Sequence, residues 1–158
     1  MVNPDFCKIK LLVCDFDGVM TDNKVIFRED GMESVVCNRG DGLGIEMLEK
    51  KGIPTLIISK ERNKVVMARA KKIRAEVLQG VDDKISLFKE EIKRRGLDKK
   101  EVCFIGNDIT DIDCMKEAGI GVAVADSYHA ALRAADHVTN RKGGEGAVRE
   151  VCDLILGN

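Results

Sequence analysis

The chain alternates short, wholly apolar runs with longer segments in which apolar side chains recur every three or four positions. The short runs are rich in Val, Ile and Leu, which is typical of strands buried on both faces of a parallel sheet. They predict strands over residues 9–14, 54–58, 76–79, 102–105 and 120–124. The longer segments predict helices over residues 42–51, 61–73, 82–96, 108–118, 127–134 and 145–156. This alternation predicts an α/β fold: a doubly wound, Rossmann-like parallel sheet with helices on both faces.

Residues 22–40 interrupt the alternation. Two β-like runs, Lys24–Phe27 and Ser34–Cys37, flank a turn-forming segment that contains Gly31. The pattern predicts a β-hairpin inserted directly after the first strand. The sequence contains no internal repeat, low-complexity tract or linker, so we expect a single domain over residues 1–158. In the helix over 82–96, Asp82 is the predicted N-cap and Gly96 the residue that ends the helix.

Composition restricts the functional classes. The chain carries 26 Lys and Arg against 27 Asp and Glu, which gives a net charge of −1. Nucleic-acid and anionic-membrane surfaces need clustered positive charge, so neither partner is expected. The apolar runs are too short to span a bilayer, and charges near the N-terminus interrupt any signal-peptide core, so a cytoplasmic protein is expected. The six cysteines lack the spacing of a metal site or disulfide framework, and most are expected to be reduced and buried.

Polar side chains follow the predicted strands where a ligand site is expected, because open α/β sheets bind ligands beyond the carboxyl ends of their strands. Asp15 and Asp17 follow the first strand. Two carboxylates this close repel one another unless a cation or a shared proton relieves the repulsion. The alternative interpretation is a solvated, Asp-rich turn with Gly18 as its turn residue.

The next two strands lead to a hydroxyl and an ammonium group. Ser59 follows the second strand, and Lys84 lies in the first turn of the helix after the third. Each has an ordinary explanation, since Ser often caps a helix, here one starting at Glu61, and Lys is normally a surface charge. The helix dipole, however, disfavours a lysine at that end of a helix.

The fourth strand leads to an acidic cluster that opens a helix. Each of Asp108 and Asp111 alone could be a helix cap, but together with Asn107 they resemble a magnesium site. Phosphoryl transfer to a carboxylate needs an ionised nucleophile, an acid/base, a divalent cation and donors for the phosphate oxygens. The side chains at successive strand ends supply that set.

These segments resemble the haloacid dehalogenase superfamily of phosphatases. The run Asp15–Asp22 reads D-F-D-G-V-M-T-D, which is similar to the first motif of that superfamily. Three further segments, Arg39–Ile45, Gln79–Lys84 and Lys142–Glu150, resemble its capless branch. That branch contains phosphatases of 3-deoxy-D-manno-octulosonate 8-phosphate and of sialic-acid-type 9-phosphates, and the phosphatase-like domain of CMP-sialate synthetases. The resemblance covers nearly the whole chain, and at 158 residues the chain is expected to have no added cap domain.

The resemblance implies a role for each of these residues. Asp15 would be the nucleophile that forms an aspartyl-phosphate, and Asp17 would protonate the leaving oxygen and then activate water. Ser59 and Lys84 would bind the phosphoryl group. The implied Mg²⁺ ligands are Asp15, Asp17 through its backbone carbonyl, and Asn107 or Asp108, with Asp111 in a supporting position.

At the fourth motif the chain departs from the usual pattern. Asn107 stands where an aspartate is commonest, and an amide oxygen ligates Mg²⁺ with less charge. Either a weaker site or ligation by Asp108 is therefore expected.

The resemblance also implies a sugar-acid phosphate as substrate. Octulosonate-phosphate phosphatases typically follow the second-motif Ser or Thr with Gly-Arg, whereas this chain has Lys60 and Glu61. Glu61 resembles the nine-carbon branch, which makes a sialic-acid-type 9-phosphate the favoured substrate and the eight-carbon 8-phosphate the alternative. Glu61, Arg62 and Arg149 are candidate substrate contacts, although Glu61 and Arg62 could simply be charges in the first turn of a helix.

A homotetramer is expected from the resemblance, with the hairpin over 22–40 and the glycine-rich segment over 143–146 in contact with a neighbour. A bare hairpin is marginal alone, which supports packing against a partner. The segment over 143–146 could instead be a flexible loop, or could meet a substrate carboxylate through Arg141 and Arg149.

Two other classes of protein remain as alternatives. A phospho-accepting receiver domain shares the acidic pair, the hydroxyl and the lysine, but its accepting Asp follows the third strand, where this chain has Gln79. A non-catalytic oligomerisation module is the other, and the intact Asp15 and Asp17 pair argues against it.

Overall fold

A computed structural model, which describes residues 4–158, contains one sheet of six parallel strands and a separate hairpin. The strands are β1 (Leu11–Cys14), β2 (Ile26–Phe27), β3 (Glu33–Ser34), β4 (Thr55–Ser59), β5 (Glu76–Gln79), β6 (Val102–Gly106), β7 (Ile120–Ala123) and β8 (His137–Val138). The helices are α1 (Arg39–Lys50), α2 (Lys64–Ile73), α3 (Lys84–Arg95), α4 (Ile112–Glu117), α5 (His129–Ala134) and α6 (Ala147–Leu156). Short 3₁₀ turns span Phe6–Lys8, Lys99–Glu101 and Ile109–Asp111. The predicted doubly wound α/β sheet with a hairpin after its first strand is confirmed.

The sheet places β1 at its centre. The strand order is β5-β4-β1-β6-β7-β8, and every neighbouring pair is parallel. The chain therefore winds outward from β1 in one direction and then in the other, and the order reverses between β4 and β6. Ligands bind at such a reversal, outside the carboxyl ends of the strands. The turn after β1 lies at that point.

The core consists of two apolar layers, one on each face of the sheet. Leu12 and Cys14 of β1 pack in the layer of α1, α2 and α6, whereas Leu11 and Val13 pack in the layer of α3, α4 and α5. All four side chains are fully buried. Burial on both faces explains why these strands are continuous apolar runs without polar alternation.

Two helix starts differ from the predictions because a different side chain caps the helix. The second predicted helix begins at Lys64 instead of residue 61, because the Asn63 side chain caps it by accepting from the Val65 amide at 3.1 Å. The prediction of Asp82 as the next N-cap is wrong, since Asp83 accepts from the Ser86 amide at 3.1 Å. Gly96 ends that helix in the left-handed region, at φ 64°, as predicted.

The hairpin is confirmed but has fewer paired residues than its apolar runs suggested. Ile26 pairs with Ser34 and Phe27 with Glu33, and an antiparallel bridge joins Thr21 to Cys37 at its base. Its outer surface is apolar, and the Phe27 side chain is 70% exposed. The other exposed apolar side chains of the hairpin are Val25, Ile26, Met32 and Val36.

The segment Arg39–Ile45 brings α1 close to α6. A Cβ at Gly44 would lie 2.9 Å from Arg149 Cδ and 3.0 Å from Cys152 Cβ, so the glycine allows the helices to approach. Asp41, which is buried, accepts a 2.9 Å hydrogen bond from the Arg149 backbone amide at the start of α6. Burial raises the pKa of Asp41 to about 6. This motif therefore has a packing and capping role.

The two edges of the sheet differ. Glu76, on the edge strand β5, accepts two hydrogen bonds from the Arg95 guanidinium at 2.9 and 2.7 Å, and Arg95 also contacts Glu91. The opposite edge is β8, a two-residue strand that the sequence did not predict.

Cys14, Cys103, Cys114 and Cys152 are buried, and all six cysteines are free thiols. Burial raises the pKa of each of these four thiols. None of the helices formed by residues 4–158 combines the length and apolar character needed to cross a membrane.

Candidate active site

The turn after β1 is held by backbone hydrogen bonds. The Asp15 amide donates to the Ile105 carbonyl at 2.9 Å, which extends the pairing of β1 with β6 by one residue. The carbonyl of Phe16 then accepts from the amides of the next turn, those of Val19, Met20 and Thr21. Gly18 adopts φ 79°, a left-handed conformation that a residue with a side chain rarely takes. The turn therefore holds Asp15 and Asp17 at the carboxyl edge of the sheet.

Asn107 packs directly against this turn. A Cβ at Gly18 would overlap the Asn107 side-chain nitrogen and lie 2.8 Å from its Cγ. Asn107 is 5% exposed, and its Oδ1 is buried without a hydrogen-bond partner. A buried amide oxygen without a partner is costly unless a ligand uses it.

Lys84 joins two of the predicted acidic residues. Its Nζ donates to Asp15 Oδ1 at 2.7 Å and to Asp111 Oδ1 at 2.8 Å. Although burial disfavours the charged amine, these two carboxylates raise the pKa of Lys84 above its usual value. The residue is 4% exposed, so the interpretation of Lys84 as a surface charge is wrong.

Asp111 organises the loop after β6. Its Oδ2 accepts from the amides of Asn107 at 3.0 Å and Asp108 at 3.3 Å. Gly106 makes room for this contact, since a Cβ there would lie 2.8 Å from Asp111 Cγ. Asp108 Oδ1 accepts from the Ile109 amide at 2.6 Å and so caps the 3₁₀ turn.

The site carries an excess of negative charge. The ammonium group of Lys84 lies near three carboxylates, those of Asp15, Asp17 and Asp111. Burial and the Asp111 charge raise the pKa of Asp15 to about 7, against the opposing effect of Lys84. Burial, together with the charges of Glu61 and Glu33, raises the pKa of Asp17 to about 6. A carboxyl group with such a pKa can exchange protons near neutral pH.

Ser59 ends β4, the strand beside β1, and is 1% exposed. Its Oγ accepts from the Glu61 amide at 3.1 Å, which forms a local turn and does not cap α2. Because this contact uses the oxygen as an acceptor, the hydroxyl hydrogen stays available to a ligand.

A cavity of about 220 Å³ opens beside Asp17, between the hairpin and the loop that carries Glu61. Its polar lining consists of Asp17, Asn23, Lys24, Glu33, Glu61 and Asn63. The sequence predicted a role for the hairpin in assembly only, and it did not predict that Asn23, Lys24 and Glu33 line a cavity beside Asp17. Glu33 and Val35 are half-buried, whereas Ser34 and Val36 are exposed, so every second residue faces inward. A search of the sequence for this strand-like alternation could have identified the inner face of the hairpin.

Arg62 and Arg149 lie outside that cavity. Arg62 is 3.4 Å from Asp82 and lines an adjoining depression against Met32 of the hairpin. The Arg149 Nε donates to both carboxylate oxygens of Asp153, at 2.8 and 3.0 Å, in a cavity of about 620 Å³. The structure thus brings Glu61 to the cavity beside Asp17 but neither arginine.

Comparison with known proteins places this site in a family. Residues 46–151 match the haloacid dehalogenase-like hydrolase family. KdsC of Yersinia pestis, a 3-deoxy-D-manno-octulosonate 8-phosphate phosphatase, is 40% identical over 149 residues, which span 94% of this chain and 80% of that protein. The chain therefore belongs to the haloacid dehalogenase-like hydrolase family.

Two solved structures show the same fold. The phosphatase of the same name from Moraxella catarrhalis, in complex with magnesium ion, phosphate ion and KDO, aligns with a TM-score of 0.93 at 34% identity, covering 97% of this chain and 88% of that one. The cobalt-bound enzyme of Haemophilus influenzae aligns with a TM-score of 0.92 at 29% identity, covering 97% and 90%. The predictions of this family and of a phosphoric monoester hydrolase are confirmed, and the metals in these relatives agree with the predicted divalent cation.

Lys84→Met tests the electrostatic role of the buried ammonium. The variant leaves Asp15 and Asp111 buried without their counter-charge, so we expect the free energy of unfolding at pH 8 to fall by about 3 kcal/mol. The pKa of Asp15 is raised to about 7, and a raised carboxyl pKa makes stability fall as the pH rises from the unfolded-state value toward the folded-state value, so the loss should be smaller at pH 5. Urea denaturation at both pH values measures it.

Lys89→Met, on the same helix, is the control. Lys89 is 57% exposed and 3.8 Å from Glu117, so its loss should change stability by less than about 1 kcal/mol. Equal effects of the two substitutions would contradict the electrostatic role of Lys84.

Proposed function

We propose that the chain is a Mg²⁺-dependent phosphatase that hydrolyses the phosphomonoester of a 2-keto-3-deoxy sugar acid. The observation that carries the proposal is the contact of Lys84 with both Asp15 and Asp111 at the strand-order reversal, beside Asp17. Membership of the family supports the reaction class, and the substrate in the names of the relatives supports a sugar-acid phosphate. A cytoplasmic location is proposed with it.

The donors at the site suit Mg²⁺. Asn107 Oδ1 is buried without a partner, and the Asn107 side chain lies against Gly18, the residue after Asp17. The Asp15 carboxylate and the Asp17 backbone carbonyl would be the further oxygen donors. Mg²⁺ prefers oxygen ligands of these kinds and usually keeps several waters. Within residues 4–158, no three His, Cys, Asp or Glu side chains group as a metal cluster, so the proposed site depends on the amide and carbonyl oxygens. Because Asp108 caps the following turn, Asn107 is the preferred ligand of the two.

The residues divide the work of the two-step reaction. Asp15, oriented by Lys84, attacks phosphorus, and the bond between phosphorus and the sugar oxygen breaks. Asp17 donates the proton that the leaving oxygen needs. Asp17 then takes a proton from the water that attacks the aspartyl-phosphate, which releases phosphate and restores Asp15. The bound cation would neutralise charge on the transferring phosphoryl group.

Ser59 and Lys84 complete the phosphoryl site. The free hydrogen of the Ser59 hydroxyl and the Lys84 ammonium would both donate to phosphoryl oxygens. Since Lys84 already contacts Asp15, binding of the phosphoryl group there places it beside the nucleophile.

The favoured substrate is a nine-carbon, sialic-acid-like 9-phosphate. Glu61 lines the cavity beside Asp17, where the leaving sugar would lie, and Glu33 lines it too. Carboxylates accept hydrogen bonds from hydroxyl and amide groups and repel another carboxylate. The cavity therefore suits the hydroxylated part of the sugar, with its acid group directed away.

The second candidate substrate is 3-deoxy-D-manno-octulosonate 8-phosphate. The curated relatives carry this name at 35% to 40% identity over 94% of the chain. The difference between the candidates is concentrated at Glu61, the position that carries arginine in the typical octulosonate pattern.

A homotetramer is proposed for the assembly. The hairpin exposes apolar side chains on and before β2, in its turn and after β3, and Phe27 is the most exposed of them. Contiguous exposed apolar groups mark interaction surfaces. A second copy packed on the hairpin would cover these groups beside the cavity of Asp17.

Asp15→Asn should abolish the reaction without disturbing the fold. We expect phosphate release from a sialic-acid 9-phosphate with Mg²⁺ to fall by about 10⁴-fold or more, because an amide cannot form the aspartyl-phosphate. A phosphate-release assay measures it, with circular dichroism as the check on folding. Asp113→Asn, an exposed acid on α4, should keep wild-type turnover. Wild-type turnover in Asp15→Asn would rule out the nucleophile, and an inactive wild type would favour the oligomerisation module.

Glu61 should control the choice between the two sugars. We expect a higher kcat/KM for the 9-phosphate than for the 8-phosphate, and Glu61→Ala should reduce this preference about 10-fold. Glu90→Ala, an exposed acid on α3, is the control and should leave the ratio unchanged. A wild-type preference for the eight-carbon substrate would favour the second candidate.

Phe27→Asp should weaken the assembly. We expect light scattering to give the mass of a tetramer for the wild type and a smaller species for the variant, since the charge cannot be buried between copies. Met67→Asp, at an apolar side chain of α2 that is 49% exposed, should leave the mass unchanged. A monomeric wild type would contradict the tetramer.

A further inference from the structure

The glycine-rich segment before α6 is tied to the fold at several points. The Glu150 carboxylate accepts from the Asn140 amide, the Asn140 side chain and the Arg141 amide, at 2.9, 3.0 and 3.0 Å. The Thr139 hydroxyl donates to the Arg141 carbonyl at 2.6 Å. The segment Lys142–Gly146, called the glycine strap below, therefore starts from a fixed point and is not the flexible loop that its composition suggested.

The glycine strap lies against the backbone of the turn that carries Asp17. A Cβ at Gly143 would overlap the Gly18 carbonyl oxygen and lie 2.6 Å from its carbonyl carbon and 2.9 Å from the Thr21 oxygen. A Cβ at Gly144 would lie 2.5 Å from the Asp22 nitrogen. The Gly144 amide donates to the Val19 carbonyl at 3.1 Å. Backbone packs on backbone here, which a residue with a side chain would prevent.

Asp126 fixes the strap from the neighbouring loop. Its Oδ1 accepts from the Gly143 amide at 2.9 Å. Asp126 follows β7, so this hydrogen bond connects the strap to the carboxyl edge of the same sheet. Gly143 is thus held between a carboxylate on one side and the Gly18 carbonyl on the other.

Gly18 is enclosed by two contacts. Its α-carbon faces the Asn107 side chain and its carbonyl faces Gly143, and neither contact leaves room for a methyl group. We propose that Gly143, held by Asp126, is a positioning residue that presses Gly18 toward Asn107 and so sets the spacing of the oxygen donors on the two loops. The proposal rests on the proposed function for the identity of those donors as Mg²⁺ ligands.

Gly143→Ala should change the spacing of the two loops, because the added methyl group would overlap the Gly18 carbonyl oxygen and displace the turn that carries it. We expect the affinity for Mg²⁺, measured by isothermal titration calorimetry without substrate, to fall by about 10-fold or more, as for supporting residues around metals. The kcat for phosphate release should fall by about 100-fold, because small displacements of reacting groups are costly. The KM should stay close to the wild-type value, since Ser59, Lys84 and Glu61 are untouched.

Gly119→Ala is the matched control. A Cβ there would lie 2.6 Å from both the Cα and the carbonyl oxygen of Lys100, so the substitution causes a comparable backbone overlap. Gly119 precedes β7 and lies at the amino edge of the sheet, away from the site. It should lower the melting temperature while leaving Mg²⁺ affinity and kcat at wild-type values. Equal losses in both variants, or wild-type Mg²⁺ affinity in Gly143→Ala, would overturn the proposal.

Two substitutions of Asp126 test the same role without adding bulk. Asp126→Ala removes the acceptor for the Gly143 amide and should weaken Mg²⁺ binding by about 10-fold. Asp126→Asn retains an acceptor oxygen and should stay within about 3-fold of the wild type, which shows that the hydrogen bond and not the charge is needed. Wild-type affinity in Asp126→Ala would overturn the proposal even if Gly143→Ala does not fold. Because these titrations need no substrate, they can support the role of Gly143 even if the enzyme rejects sugar-acid phosphates.

Discussion

The carboxyl edge of the sheet depends on one buried ammonium group. Lys84, at the start of α3, contacts Asp15 from the turn after β1 and Asp111 from the loop after β6, and so connects three segments that are distant in sequence. Each carboxylate would be costly to bury alone, and the shared ammonium offsets that cost. Asp111 in turn positions the loop after β6, because its second carboxylate oxygen accepts hydrogen bonds from the amides of Asn107 and Asp108. The position of the unpartnered Asn107 oxygen therefore depends on a contact that Asn107 does not itself make.

The sequence predicted the inner strands β1, β4, β6 and β7 well because they are buried along their whole length and contain no charged residue. It also predicted that Asp15, Ser59, Lys84 and Asn107 lie at one edge, since the carboxyl ends of parallel strands coincide. The strand β8 was missed because His137 and Val138 form no apolar run. The start of α2 was predicted too early because both Ser59 and Asn63 have side chains that can cap a helix, and it is Asn63 that caps α2.

Other parts of the site were beyond sequence reasoning because they depend on close tertiary approach. The sequence does not distinguish a glycine that allows close backbone packing from a glycine in a flexible loop. The contact of Gly143 with Gly18 therefore could not be predicted from the sequence. The same holds for Gly44, which admits α6 against α1. Asp41 likewise resembles any helix-start acid, although it caps a different helix. The sequence therefore predicted which chemical groups the chain offers, but tertiary packing determines which of those groups are in contact.

The unequal edges of the sheet bear on how the chain avoids aggregation. An edge strand offers unpaired backbone groups on which another sheet could grow, and charged side chains or extreme shortness oppose such growth. β5 carries Glu76 held by Arg95, and β8 is only two residues long. Both ends of the sheet are thus poor templates for fibril-like addition. The apolar surface of the hairpin can then attract a neighbour through its side chains while the main sheet stays closed to uncontrolled polymerisation.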